Sequence, residues 1–135
     1  MVAFFVAGTP APQGSKRFLG VHGGKGVLAE SASEAVRSWR ADVRAAAAPL
    51  FPAVLAGAVR VEVEFRLARP KSVSVRARPR PTARPDLDKL VRSTLDALKS
   101  AGAYGDDSQV VELRAVKAYA TAGQPAGAVI GVSSV

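Results

Sequence analysis

The sequence predicts a small single-domain α/β sandwich, with a mixed or antiparallel sheet packed against two main helices. Three observations carry this. A length of 135 residues fits one domain with a real core, small enough to gain from dimerisation. Residues 58–67 alternate strictly between apolar and polar, the period of a half-buried strand. Two other stretches repeat their apolar residues every three or four positions, the period of a helix packed on one face. Along the chain the elements follow the order β-α-β-α-β-β, which suits helices layered on a sheet.

Residues 2–7 form the first strand, ended by Gly8-Thr9-Pro10. They are apolar but short and lack a basic flank, so they do not read as a signal peptide. From Pro10 to Gly26 the chain is rich in Gly and Pro and reads as a long loop or an open hairpin. Ser31 or Ser33 caps a helix running to about Ala48 and stopped by Pro49, with Ala35, Val36, Trp39, Val43 and Ala46 or Ala47 on its apolar face. In the strand that follows, Val59, Val61, Val63, Phe65 and Leu67 share one side. A second helix begins after Pro85, carries Leu87, Leu90, Val91, Leu95 and Leu98 inward, and stops at Gly102. Residues 109–120 and Ala128–Val132 complete the sheet.

The charge is strongly one-sided. With 19 Lys+Arg against 11 Asp+Glu, the net charge is +8, which favours an anionic partner, nucleic acid before a membrane surface. No run approaches the roughly 20 apolar residues of a membrane span. The chain has no cysteine, which excludes disulfides and thiolate metal sites and fits a reducing cytoplasm. Its single histidine, His22, lies in the Gly-rich stretch, so histidine-based metal or triad chemistry is not expected.

Against this basic background five of the acids crowd together: Asp86, Asp88, Asp96 and the doublet Asp106-Asp107. Crowded carboxylates repel unless a cation holds them, and hard divalent ions prefer oxygen ligands. Each aspartate also has a plain structural role. Asp86 and Asp88 suit the start of a helix, where aspartate caps and complements the dipole. Asp106-Asp107 suits a turn. Asp96 lies four residues after Arg92, a routine helix-surface pair. Capping alone explains one aspartate better than two. Positions i and i+2 point about 200° apart on a helix but share a face when extended. A helix that starts late, after Pro85, lets Asp86 and Asp88 converge on one ion.

Arg92 lies one turn beyond Asp88 and can brace that carboxylate or grip a phosphate with two prongs. It cannot readily act as a base, because it stays protonated. The segment from Arg69 to Arg84 carries Arg69, Lys71, Arg76, Arg78, Arg80 and Arg84 among Pro70, Pro79 and Pro81. It reads either as a solvated connection or as a phosphate-contacting arm. Lys16, Arg17 and Lys25 add cations near the amino terminus.

Asp86-Leu-Asp88-Lys-Leu90, Leu95-Asp-Ala-Leu98, Asp106-Asp107-Ser-Gln-Val-Val111 and Lys117 resemble the RusA family of Holliday junction resolvases. The stretch Gly8-Thr-Pro-Ala-Pro-Gln-Gly-Ser-Lys-Arg17 is similar to the opening of phage-type members. The resemblance implies a RusA-like fold and a homodimeric, magnesium-dependent endonuclease, with manganese as a substitute, that cuts four-way DNA in recombination and repair. It implies a bacterial cytoplasm, or that of the host where the gene is a phage's. Asp86, Asp88 and Asp107 match the family's metal-binding aspartates, with Asp106 beside them. The family's catalytic lysine falls at Arg92, which keeps the charge but not the chemistry, and a common asparagine falls at Lys89. The expected catalytic set is therefore Asp86, Asp88, Asp107 and Arg92. The expected DNA contacts are Lys16, Arg17, Lys25, the cations of 69–84, Lys89 and Lys117.

One geometric condition follows. A helix from about residue 88 to 100 is roughly 18 Å long, and seven extended residues return at most about 23–25 Å. Asp107 rejoins Asp86 and Asp88 only if 101–107 runs nearly straight back, or if a second subunit supplies one half. The competing readings are a non-catalytic basic DNA-binding protein whose acids merely cap and turn, and a nuclease preferring flaps or forks.

Overall fold

A computed structural model describes residues 1–14, 16–22, 25–30 and 33–135, with side chains outside 15–33. Strands β1 (Val2–Ala7), β4 (Val59–Leu67), β5 (Val110–Tyr119) and β6 (Gly127–Ser134) form one sheet in the order β1-β6-β4-β5. β1 and β4 run antiparallel to β6, whereas β4 and β5 are parallel, so the sheet is mixed as expected. Helices α1 (Ser33–Ala47) and α2 (Leu87–Ser100) fill the second layer. A parallel β4–β5 pair needs a crossover, and α2 is its helix.

The alternation in β4 does what its sequence demands. Val59, Val61, Val63, Phe65 and Leu67 are buried beneath the helices, while Arg60, Glu62, Glu64 and Arg66 lie on the other, open face. Val36, Trp39, Val43 and Ala47 of α1 meet Leu90, Val91, Ala97 and Leu98 of α2 within the same core. One polar link crosses between the helices: the indole of Trp39 donates to Thr94 Oγ1 at 3.1 Å, and Thr94 donates in turn to Leu90 O. A buried polar pair left half-made would be costly, so this link fixes how the helices sit.

The stretch expected as a loop or open hairpin holds strands β2 (Lys16–His22) and β3 (Lys25–Glu30), an antiparallel pair reaching beyond Gly26. The side chains of Lys16, Arg17, Lys25 and His22, and the candidate cap Ser31, lie outside the described residues. Gly102 stops α2 as anticipated: its φ of +88° is left-handed, and Gly102 N and Ala103 N donate back to Lys99 O and Leu98 O.

Candidate active site

Pro85 delays α2 by one residue. Asp86 is the N-cap, with extended φ −72° and ψ 137°, yet its carboxylate makes no capping hydrogen bond. It instead lies 3.8 Å from the ammonium of Lys89. Asp88, in the first turn, is exposed and enters no ion pair among the described residues. The helix-capping role thus leaves both carboxylates unspent.

The doublet behaves differently at its two positions. Asp106 caps a short 3-10 turn, Asp107–Gln109, and accepts from Ser108 N at 3.0 Å. Gln109 Oε1 accepts from Asp106 N and Gly105 N, closing a capping box. Lys99 Nζ reaches the other Asp106 oxygen at 3.4 Å. Hydrogen bonds from Ser108, helped by Lys99, hold the Asp106 carboxyl below its ordinary range. Both its oxygens are occupied, which leaves it the least open of the four aspartates expected to hold metal.

Asp107 turns inward and faces Asp96. Its Oδ1 is buried and meets no donor. Burial, followed by the Asp96 carboxyl, pushes its pKa up to about 6. Two facing acids satisfy each other only by sharing a proton or a cation. Tyr104 stands beside them, its hydroxyl donating to Leu95 O at 2.8 Å. Burial and the two carboxylates push that phenol far up, so it stays a donor.

Asp96 is therefore not the surface partner of Arg92 that the i,i+4 spacing predicts. It is half-buried, makes no ion pair with Arg92, and belongs with Asp107. The available signal was its place eight residues after Asp88 on the Asp88–Arg92–Asp96 stripe. That stripe also measures the separation. Eight residues of helix span about 12 Å, so Asp107 lies two turns from the first turn of α2. The segment 101–107 does not run straight back, because Ala103 and Tyr104 are buried in the core and Tyr104 bridges to Leu55. Among the described residues, no three acidic or histidine groups come together around a metal position.

The cations divide into occupied and free. Lys117 Nζ donates to Ala83 O and Pro85 O, each at 2.8 Å. The Arg69 guanidinium stacks 4.1 Å from the centre of the Tyr119 ring and donates to Ser74 O and Arg78 O. Arg78 reaches Tyr119 Oη at 3.5 Å. These three hold the 69–84 segment against β5. Lys71, Arg76, Arg80, Arg84 and Arg92 are exposed and enter no ion pair among the described residues. Arg84 and Lys89 border Asp86 in a cleft of about 580 Å³, walled by Pro10 and Pro12 of the amino-terminal motif. That motif is fastened to α2 by Gln13 N to Lys89 O and by Ser93 Oγ to Ala11 O. Glu112 is exposed and paired with Arg60.

In kind, though not gathered in one place within a single chain, the donors suit a hard divalent cation: carboxylate oxygens alone, two at a helix start that no cap consumes and one buried oxygen that meets no donor.

A small α/β domain with open carboxylates inside a basic surface has the make-up of a nuclease. The sequence matches the family described as Endodeoxyribonuclease RusA over residues 7–130, so the chain belongs to the RusA endodeoxyribonuclease family. It is 33% identical over 128 residues to the uncharacterised protein YqaN of Bacillus subtilis (strain 168), covering 87% of each chain. It is 38% identical over 61 residues to the crossover junction endodeoxyribonuclease rusA of Enterobacteria phage 82, covering 45% of this chain and 51% of that one. No helix among the described residues is long and apolar enough to cross a membrane.

Proposed function

We propose that this protein resolves four-way DNA junctions by paired, magnesium-dependent hydrolysis of phosphodiesters, in recombination and repair, as a homodimer. The observation that carries the reading is a set of unspent carboxylates, Asp86, Asp88 and Asp107, set in a surface rich in unpaired arginines. A protein using its acids only to cap and turn would treat all of them as it treats Asp106.

Asp86 and Asp88 of one subunit and Asp107 of the other would hold the ion, with Asp96 orienting Asp107. Manganese would substitute, since the ligands are all oxygen. When bound, such an ion offsets phosphate charge and lowers the pKa of a neighbouring water. Arg92, always protonated, grips the scissile phosphate and steadies charge on the pentacovalent centre. Lys89 offsets Asp86 until substrate arrives. Lys71, Arg76, Arg80 and Arg84 track phosphates along the DNA arms, so binding weakens steeply with salt. A two-fold dimer matches the near two-fold symmetry of a four-way junction and places one cut on each side.

The test is cleavage of a synthetic four-way junction, a flap and a fork, with and without magnesium. Paired symmetric nicks on the junction support the reading. Binding without nicking, even in manganese, sinks it in favour of a DNA-binding protein, and preference for flap or fork relocates the substrate. Mixing Asp86→Asn with Asp107→Asn subunits then tests sharing. A shared site predicts one working centre in mixed dimers, and an intrasubunit site predicts none.

A further inference from the structure

We propose that Gln109 is a positioning residue of the metal site: its side chain clamps the loop 51–58 to the turn that carries Asp107, and so sets where that carboxylate points. The proposal rests on the metal-dependent nuclease reading and adds a residue that is neither an acid nor a cation.

Gln109 is half-buried and uses its whole amide. Its Oε1 accepts from Gly105 N at 2.8 Å and from Asp106 N at 3.1 Å. Its Nε2 donates to Leu55 O and Gly57 O, each at 2.9 Å. A primary amide has two N–H donors and two lone pairs on oxygen, so none is left over. The bonds to Oε1 belong to the capping box. Those from Nε2 serve no cap, and they reach back 54 and 52 residues along the chain. Gly105 leaves room for the oxygen, since a Cβ there would lie 3.3 Å from Oε1.

Asp107 lies between the jaws of this clamp. It opens a 3-10 turn of only three residues, flanked by Asp106 and closed by Gln109 itself. Such short turns have poor hydrogen-bond geometry and little rigidity of their own. The Asp107 Oδ1 meets no donor among the described residues, so the backbone has to aim it. That backbone is braced from two directions. On one side the Tyr104 hydroxyl donates to Leu95 O, next to Asp96. On the other, Gln109 ties the turn to the loop 51–58, which is fixed by buried Phe51 and by Leu55 N donating to Ala103 O at 3.0 Å. Asp107 stands where the two braces meet.

Glutamate at this position separates clamp from cap. A capping box accepts glutamate as readily as glutamine. The clamp does not, because a carboxylate has no hydrogen to give Leu55 O and Gly57 O. Charge works the other way: an added anion near Asp107 would by itself favour a cation. Weaker metal binding by Gln109→Glu therefore reports lost positioning and not lost attraction.

The test compares Gln109→Met and Gln109→Glu with wild type and with Thr94→Val, a core substitution remote from the turn. Manganese affinity is read from the electron spin resonance of the free ion, and folding by urea unfolding. Junction affinity is measured in chelator, and cleavage rate at saturating junction. Partners that orient metal ligands typically contribute about 10–100-fold to metal affinity. Both Gln109 variants are expected to bind manganese about tenfold more weakly or worse, and to cleave more slowly, with junction affinity unchanged. Thr94→Val should match wild type in all three once folded. Gln109→Glu keeps the cap bonds, so it carries the test even if Gln109→Met unfolds. Wild-type manganese affinity in Gln109→Glu reduces Gln109 to a cap and overturns the proposal, as does an equal loss in Thr94→Val. Cleavage by wild type together with unchanged manganese binding in both variants spares the function and rejects the clamp. A wild type that neither binds manganese nor cleaves rejects the function, and the clamp with it.

Discussion

The ammonium of Lys117 donates to the carbonyl oxygen of Pro85, the residue before Asp86. With its second bond to Ala83 O, it ties the end of the arginine-rich segment to β5. Lys117 is half-buried and both contacts are 2.8 Å, so two of its ammonium hydrogens are engaged in this strut. Lys117→Met is expected to lower the cleavage rate by roughly tenfold to a hundredfold through misplacement of Asp86. Junction affinity, measured by gel shift, should change far less. A rate loss wholly explained by weaker binding would return Lys117 to the DNA contacts.

Asp107 gives a pH signature of known sign. Its folded pKa, about 6, stands above its ordinary 3.8. Ionisation is therefore harder in the folded protein, and stability is greatest where the group is protonated in both states. As pH rises from about 4 through 6, that advantage is lost. Thermal melts in chelator should show a falling Tm across this window, and Asp107→Asn should flatten the fall. At pH 7.5 Asp107→Asn should melt a few degrees higher, roughly 3 °C. Added magnesium should raise the wild-type Tm, since an ion binding only the folded state stabilises it.

The Trp39–Thr94 bond predicts a core effect separate from activity. Thr94→Val keeps the volume but leaves the indole N–H of a fully buried tryptophan without its acceptor. The expected cost is about 1–3 kcal/mol by urea unfolding. Cleavage by the protein that remains folded should be unchanged.

Arg69 and Arg80 should separate by salt dependence. Arg80 is exposed and unpaired, so Arg80→Ala should weaken junction binding and lower the salt slope by about 0.9. Arg69 is stacked on Tyr119 and bonded to two carbonyls. Arg69→Ala should instead expose residues 70–84 to protease, and Arg69→Lys should not rescue, because an ammonium lacks the planar fork.

Much of this fold was legible because its signals are local. The alternation of 59–67, the apolar stripes of α1 and α2, and the stop at Gly102 are set by neighbours in sequence. Pro85 likewise made the late start of α2 readable, and with it the uncapped Asp86. The site was legible as a set of residues but not as a grouping. Asp96 looked like an i+4 partner of Arg92, since spacing says nothing about what lies across a helix from another part of the chain. The internal bonds of Lys117 and Arg69 were not legible, since a charge count does not show which cations also bond within the chain.

By itself, then, the sequence determined that a basic α/β domain of the RusA family carries a few acids concentrated around one helix, because period, charge and motif need no third dimension. Only the tertiary structure decided how those acids divide. Tyr104 is buried and keeps 101–107 from running straight back, Gln109 and Ser108 occupy Asp106, and Asp107 is turned onto Asp96, two helical turns from Asp88. Such choices follow from which side chains the core takes in and which polar atoms then find partners, and that competition is settled only when distant segments meet.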